Sequence, residues 1–263
     1  MLLCCVMVSI ICLISLVGVI QAQNLEYQAE NYEASIIPTI DGVWTNPDEW
    51  SDAEEYQLGG SLDVIFRLKK VTDGVGELQT LYFLIEFFND TTNDSTDYTR
   101  IGLVSADTPG GVPEGGEAPD ENCIYFEYKG HDVNYFTYNR GFDDGWVLNS
   151  TYTWNTDILV VDSFDTSPLS DQPHLIVEWR ISAPAFNIRS DLLLRVGAYD
   201  ATDGILYHSQ IWPLNAHIMV PDQWGVVVMH NETIPEISIC TAILMLLTIP
   251  ILVTLARKMK KKS

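Results

Sequence analysis

Disulfide chemistry is the first thing this sequence lacks. Of five cysteines, Cys4, Cys5 and Cys12 lie in the apolar start and Cys240 in the apolar end, leaving Cys123 as the one thiol between them. A single thiol forms no internal disulfide, so the middle of the chain must be held by its core alone. Cys123 itself reads as a small buried hydrophobe on a strand. Positive charge is equally scarce. Fourteen Lys and Arg stand against 36 Asp and Glu, a formal charge of −22. The basic footprint that phosphate binding needs is missing, which excludes nucleic acid as the partner. Enzyme motifs are missing too: there is no G-x-S-x-G, no H-E-x-x-H and no P-loop. Adjacent acids such as Asp143 and Asp144 do not fix the roughly 5–10 Å separation of a glycosidase pair, and they read as solvated surface. Covalent haem is excluded by the absence of C-x-x-C-H. No long segment carries the apolar period of an amphipathic helix. With 47% hydrophobic residues, the chain is not a disordered acidic tail.

Both ends lack acidic charge, and the first lacks charge of either sign. Residues 2–20 are apolar, and no charged residue precedes Glu26. This predicts a secretory signal over 1–22, cut after Ala22; an uncleaved N-terminal anchor is the alternative, because the start has no Lys or Arg. Residues 237–256 are uncharged. As a helix rising 1.5 Å per residue they span about 30 Å, a bilayer core. Pro250 within the run is tolerated better in a membrane helix than in a soluble one. Arg257, Lys258, Lys260, Lys261 and Lys262 follow, and such a tail stays cytoplasmic. The expected layout is a single-pass protein of the cell membrane: a domain over 24–231 outside the cell, a transmembrane helix over 237–256 and a basic tail over 257–263. The step Pro235-Glu236-Ile237-Ser238 before the apolar run resembles the sorting tails of archaeal surface proteins, which are cut and replaced by a lipid. Four N-glycosylation sequons, at Asn89, Asn93, Asn149 and Asn231, fall in the predicted exterior.

The middle is patterned for strands. Leu62, Val64, Phe66 and Leu68 alternate with Asp63, Ile65, Arg67 and Lys69, as in a half-buried strand. Residues 81–88 are apolar on both faces except for Glu86, as a central strand requires. Further strands are predicted over 122–129, 133–139, 146–153, 157–161, 175–181, 192–199 and 225–229. Turn signals at Asp73-Gly74, Asp144-Gly145 and Asp203-Gly204 punctuate them. Residues 183–186 read as a turn, and 107–120 as one long Gly- and Pro-rich loop. About ten strands at this spacing predict one all-β domain, an antiparallel β-sandwich.

Six short motifs occur in a recognisable order: Pro38-Thr39-Ile40-Asp41-Gly42 with Glu49-Trp50; the strand 81–88 running into Asn89-Asp90; Asp120-Glu121-Asn122-Cys123; Val177-Glu178-Trp179-Arg180; Val196-Gly197-Ala198-Tyr199-Asp200; and Asp222-Gln223-Trp224-Gly225. Together, over about residues 36–229, they resemble the family 9 carbohydrate-binding modules and their wider DOMON-like superfamily. The resemblance implies a jelly-roll or DOMON-like sandwich, a sugar end held between two tryptophan faces, and structural calcium. It also implies a non-catalytic module that binds carbohydrate or cell-envelope glycan, which the apolar ends would anchor to the membrane. Trp50, Trp179 and Trp224 read as core residues, Trp179 because it shares a face with Leu175, Val177 and Ile181.

The sugar face is therefore sought elsewhere. Aromatics crowd residues 125–154, and Trp146, Trp154, Tyr138 and Asp143 are the candidate glycan-binding residues; cross-strand packing of the same rings is the alternative. Asp90, Asp94 and Asp97 place hard oxygen ligands close together, which suits Ca2+, and a solvated acidic loop is the alternative. The same superfamily includes haem domains of the ethylbenzene dehydrogenase small-subunit type. That resemblance implies Met and Lys as axial ligands, with Met219, His217, His208 and Lys129 as candidates here. A third reading is a structural, glycosylated envelope protein whose acidic surface is itself the function.

Overall fold

The structure, a computed structural model, describes residues 27–44, 46–60, 63–90, 97–105, 117–129, 135–142, 145–189, 192–200 and 210–230. All of them belong to the first of the two units into which the chain divides, Met1–Thr233 and Ile234–Ser263. Among them no helix is long and apolar enough to cross a membrane. The predicted signal at 1–22, the helix at 237–256 and the tail at 257–263 lie outside the described residues.

The described chain is nearly all β. Its strands are β1 (Gln28–Asn31), β2 (Glu55–Gln57), β3 (Val64–Thr72), β4 (Leu78–Phe87), β5 (Tyr98–Ser105), β6 (Cys123–Lys129), β7 (Phe136–Phe142), β8 (Gly145–Asn149), β9 (Ile158–Ser167), β10 (Ser170–Ser182), β11 (Leu192–Tyr199), β12 (Ile211–Trp212) and β13 (Gly225–Met229). The larger sheet runs β1-β13-β11-β5-β6-β7-β8, with β12 also on β11; the smaller runs β2-β3-β4-β10-β9. Pairing is antiparallel throughout except for β1 with β13, which is parallel and corrects the expectation of a purely antiparallel fold. Residues 183–186 form one turn of helix, α1 (Ala183–Phe186), rather than a turn alone. It ends where Asn187 takes φ +56° and its N–H closes on the Ala183 and Pro184 carbonyls.

The two sheets face each other across one core. From the smaller sheet come Val64, Phe66, Leu81, Phe83, Ile85, Leu175, Val177 and Trp179; from the larger come Ile101, Leu103, Ile124, Phe126, Leu192, Leu194 and Val196. Alternation puts these residues on one face of each strand. Tyr128 of β6 meets Trp179 of β10 edge-on at 6.0 Å, which ties one sheet to the other.

The smaller sheet is covered on its outer face as well. Tyr82, Leu84 and Ile176 pack there against Trp44, Trp50 and Ala53 of the segment preceding β2. This second buried layer explains why β4 is apolar on both faces. It also corrects the position of Trp50, which is fully buried but outside the inter-sheet core.

Buried charge holds the covering segment down. Glu178 of β10 accepts hydrogen bonds from the Asp41 N–H at 3.0 Å, the Gly42 N–H at 2.9 Å and the Trp50 indole N–H at 2.9 Å. Burial outweighs these donors and pushes the Glu178 carboxyl up to about 7. Gly42 has φ +82°, and a Cβ there would lie 2.8 Å from the Asp162 carbonyl carbon, so only glycine makes this approach. Lys69 donates to the Ile36 and Glu49 carbonyls at 2.8 Å each and pairs with Asp52. The motif spanning Asp41 to Trp50 is thus a clasp onto Glu178.

Two substitutions test this account by denaturant unfolding. Glu178→Ala leaves three N–H donors without an acceptor, at about 1–3 kcal/mol each, so a loss of about 3 kcal/mol or more is expected. Trp179→Ala is expected to cost about 3–5 kcal/mol through cavity formation. A Glu178→Ala variant as stable as the parent overturns the clasp.

Candidate functional site

The four expected glycan residues do not converge. Tyr138 faces inward and is 4% exposed, packed on Phe126 at 5.4 Å, because its register opposite Phe126 gives it the same face. It is a core residue, and its assignment to the surface is corrected. Trp154 follows β8 and meets Phe136 edge-on at 5.4 Å, with 36% of its surface exposed. Trp146 lies on the opposite side of the larger sheet from Phe136, and Asp143 lies outside the described residues.

Trp146 instead belongs to the outer face of the larger sheet. Alternation turns Tyr98, Arg100, Gly102 and Val104 of β5 outward while Ile101 and Leu103 fill the core. The same rule turns Tyr125, Glu127 and Lys129 of β6 and Arg195, Gly197 and Tyr199 of β11 outward. Register then sets three rows. Tyr98 lies between Tyr199 and Lys129, Arg100 between Gly197 and Glu127, and Gly102 between Arg195 and Tyr125.

The side chains in these rows interlock. The Tyr98 and Tyr199 rings stack at 4.8 Å and 14°. The Arg100 guanidinium lies 4.5 Å from the Tyr98 ring and 5.7 Å from the Tyr125 ring. Arg100 donates from Nε and Nη2 to Glu127 Oε2, each at 2.6 Å, and the Tyr125 hydroxyl donates to the same oxygen at 2.9 Å. Lys129 Nζ sits 4.2 Å from the Tyr135 ring. Gly102 leaves room for Trp224, whose ring a Cβ at 102 would approach to 2.8 Å. Trp224 runs parallel to Trp146 at 6.4 Å, and Trp146 tilts against Tyr125 at 5.6 Å. The Trp146 indole nitrogen is buried and has no hydrogen-bond partner among the described residues. The result is a half-buried shelf of aromatic faces beside a fixed Arg–Glu pair. Aromatic faces attract the polarised C–H groups of a ligand, and the partly exposed Arg100 is held in a fixed orientation by the buried Glu127.

The acidic loop takes a different form from either expectation. Asp90 and Asp97 are both buried rather than solvated, and Asp94 lies outside the described residues. Beside Asp90 is a pair that the aspartate pattern did not indicate. His174 and Glu86 are fully buried and joined at 3.0 Å, and the other His174 nitrogen faces the Gln172 carbonyl at 2.9 Å. Both ring nitrogens face oxygen acceptors, the arrangement of a doubly protonated imidazolium. Burial lowers the His174 pKa, but Glu86, the Gln172 carbonyl and Asp90 outweigh it and raise it above its ordinary value. Among the described residues no three His, Cys, Asp or Glu side chains form a group able to hold a metal ion.

The haem candidates do not fit one iron as a pair. His217 and Met219 share a single short turn, where His217 Nδ1 accepts from the Met219 backbone N–H at 3.2 Å. Side chains two residues apart on that turn do not reach opposite faces of a macrocycle. Lys129 rests on Tyr135, and His208 lies outside the described residues.

Two clefts are lined by described residues. One, about 380 Å3, is polar and lined by Thr80, Tyr82, Asn155, Thr156, Arg180 and Ser182. The other, about 450 Å3, lies on the β7–β8 hairpin and is lined largely by apolar side chains.

No protein-family model and no curated protein matches the chain. Among solved structures it is similar to a protein of Bacteroides uniformis described as a "putative carbohydrate-binding protein". The identity is 12%, the match covers 77% of this chain and 98% of that one, and the TM-score is 0.44. A likeness at that level carries no argument about the site, which rests on its own geometry.

The buried ionisable groups give a pH prediction. Glu178 and His174 both have folded pKa values above their unfolded ones. Each therefore binds its proton more tightly when folded, and its contribution to stability is lost as pH rises through the folded value. Glu178 acts between its ordinary 4.5 and about 7, and His174 from 6.5 upward. The urea midpoint should fall as pH rises across this window, and His174→Gln should flatten the upper part of the profile. Parallel profiles for parent and His174→Gln would show that His174 is not the group responsible.

Proposed function

We propose that the chain is a non-catalytic carbohydrate-binding module of the family 9, DOMON-like kind, displayed outside the cell and anchored through 237–256. The observation that supports this reading is the shelf on the outer face of the larger sheet. There Tyr98, Tyr199 and Tyr125 surround the Arg100–Glu127 pair, with Trp146 at one end. Sugars need that pairing of chemistries, an apolar face for their C–H groups and oriented hydrogen-bonding groups for their hydroxyls. The glycan-binding residues of this proposal are Tyr98, Tyr199, Arg100, Glu127 and Trp146. A glycan of the cell envelope is the partner that fits the anchored arrangement. Calcium at Asp90, Asp94 and Asp97 belongs to the same proposal, and a lower melting temperature on chelation is its test.

The binding prediction is quantitative. A stacked ring contributes about 0.5–1.5 kcal/mol beyond area burial, so losing one weakens binding by up to about tenfold. On a glycan array followed by calorimetry, Tyr98→Ala and Tyr199→Ala should lower affinity by that factor with little change in melting temperature. Trp50→Ala and Trp179→Ala should instead lower stability first. If no glycan binds the parent protein, or if the tyrosine variants bind as well as the parent, the shelf is not a sugar site. External protease on intact cells tests the placement separately, since an exterior domain is digested and an interior one is protected.

A further inference from the structure

We propose that Asn149 carries an N-linked glycan whose first sugars lie in the apolar cleft of the β7–β8 hairpin. The inference rests on the exterior placement proposed above but not on the shelf.

The cleft is an anomaly on this surface. Phe142, Val147 and Leu148 are 58%, 51% and 67% exposed and line one concavity, in a chain that carries 36 acidic residues. Phe142 ends β7, and Val147 and Leu148 sit on β8, which ends the larger sheet and pairs, among the described residues, with β7 alone. An apolar edge strand invites pairing with another chain, and folded proteins cover or blunt such edges.

Asn149 lines the same cleft and is the last residue of β8. It opens the sequon Asn149-Ser150-Thr151. Thr151 donates to Asn149 Oδ1 from its backbone N–H at 2.8 Å and from its hydroxyl at 2.5 Å. The sequon thus holds the amide oxygen. Nδ2, on the other side of the same planar carbon, has no acceptor among the described residues. The nucleophilic atom is left open on the face that Asn149 shares with Val147 and Phe142. A sugar attached there brings C–H faces to Phe142 and Val147. It also brings hydroxyls to the cleft's polar side, where Arg140 donates to the Glu121 carbonyl at 2.7 Å.

The transfer step uses a lipid-linked, phosphorylated oligosaccharide and its transferase. Asn149 Nδ2 attacks the anomeric carbon, a C–N bond forms, and the anomeric C–O bond to phosphate breaks. The lipid phosphate leaves with the electron pair, the amide proton passes to a base, and nothing is oxidised or reduced.

The test uses the full chain made in a secretory host that N-glycosylates. Mass mapping should find sugar on the peptide containing Asn149, and Thr151→Ala and Asn149→Gln should each remove it, whereas Thr151→Ser should retain it at least in part. Hydroxyl-radical footprinting should then label Phe142 and Val147 several-fold more after glycosidase treatment, with exposed Val75 of the β3–β4 turn unchanged. An unmodified Asn149 alongside sugar at another sequon overturns the inference while leaving the exterior placement intact; sugar at no sequon overturns the inference together with that placement. Sugar at Asn149 with no change in labelling overturns the seating in the cleft. A glycosylated chain that self-associates until Leu148→Lys separates it assigns the cleft to a second copy of this chain instead.

Discussion

A carboxylate with no access to water governs the arrangement of this domain. Glu178 lies on the outer face of the smaller sheet, where three N–H donors from Asp41, Gly42 and Trp50 converge on it. An unpaired carboxylate at that depth would cost several kcal/mol, so the covering segment cannot leave without exposing or stranding it. Lys69 imposes the same condition from β3, since its acceptors among the described residues are the Ile36 and Glu49 carbonyls and Asp52. The smaller sheet is thereby committed to burial on both faces. What its outer face shows beyond the cover is the polar cleft of Thr80, Tyr82 and Arg180, while the aromatic shelf lies on the outer face of the larger sheet.

On that face, glycine at two positions decides what the aromatic residues can do. Gly102 lets the Trp224 ring lie directly on the sheet, and Gly197 leaves space beside Arg195 and Arg100. Trp224 is anchored by its indole N–H on the His217 carbonyl at 3.1 Å, and Arg195 by its Nε on the Ala216 carbonyl at 2.9 Å. The 216–224 turn is therefore fastened over one half of the face. The other half bears Tyr98, Tyr199 and the Arg100–Glu127 pair.

Period-two patterning located most of the strands, because β3, β4, β6, β10, β11 and β13 each bury one or both faces in apolar residues. It missed β5, where inward Thr99 and Ser105 and outward Arg100 and Gly102 break the apolar alternation. It also missed β1, β2 and β12, which are only two to four residues long. Glu86 was legible as the one charge in an apolar strand, but its partner His174 lies 88 positions away and only register brings them together. The shelf was illegible for the same reason: Tyr98 and Tyr199 meet through the β5–β11 register, not through sequence proximity. Proximity misled in the opposite direction for Trp146 and Trp154. They are close in sequence, yet one lies on the outer face of the larger sheet and the other packs on Phe136.

The bases explain what kind of ligand this surface admits. Lys69 and Lys70 are buried and paired with Asp52 and Glu33, Arg67 with Glu55, and Arg100 with Glu127. Arg195 is buried against the Ala216 carbonyl. Most of the few cations in the domain are consequently spent on its own interior and edges, and the solvent meets a surface of nearly unopposed carboxylates. Such a field repels polyanions at a distance and leaves neutral ligands untouched. A glycan meeting the shelf through C–H faces and hydroxyls enters without that penalty, whereas a phosphate-rich chain or an anionic polysaccharide would meet it at every approach. The same repulsion between copies opposes self-association everywhere except where apolar side chains break the acidic surface, as they do along β8.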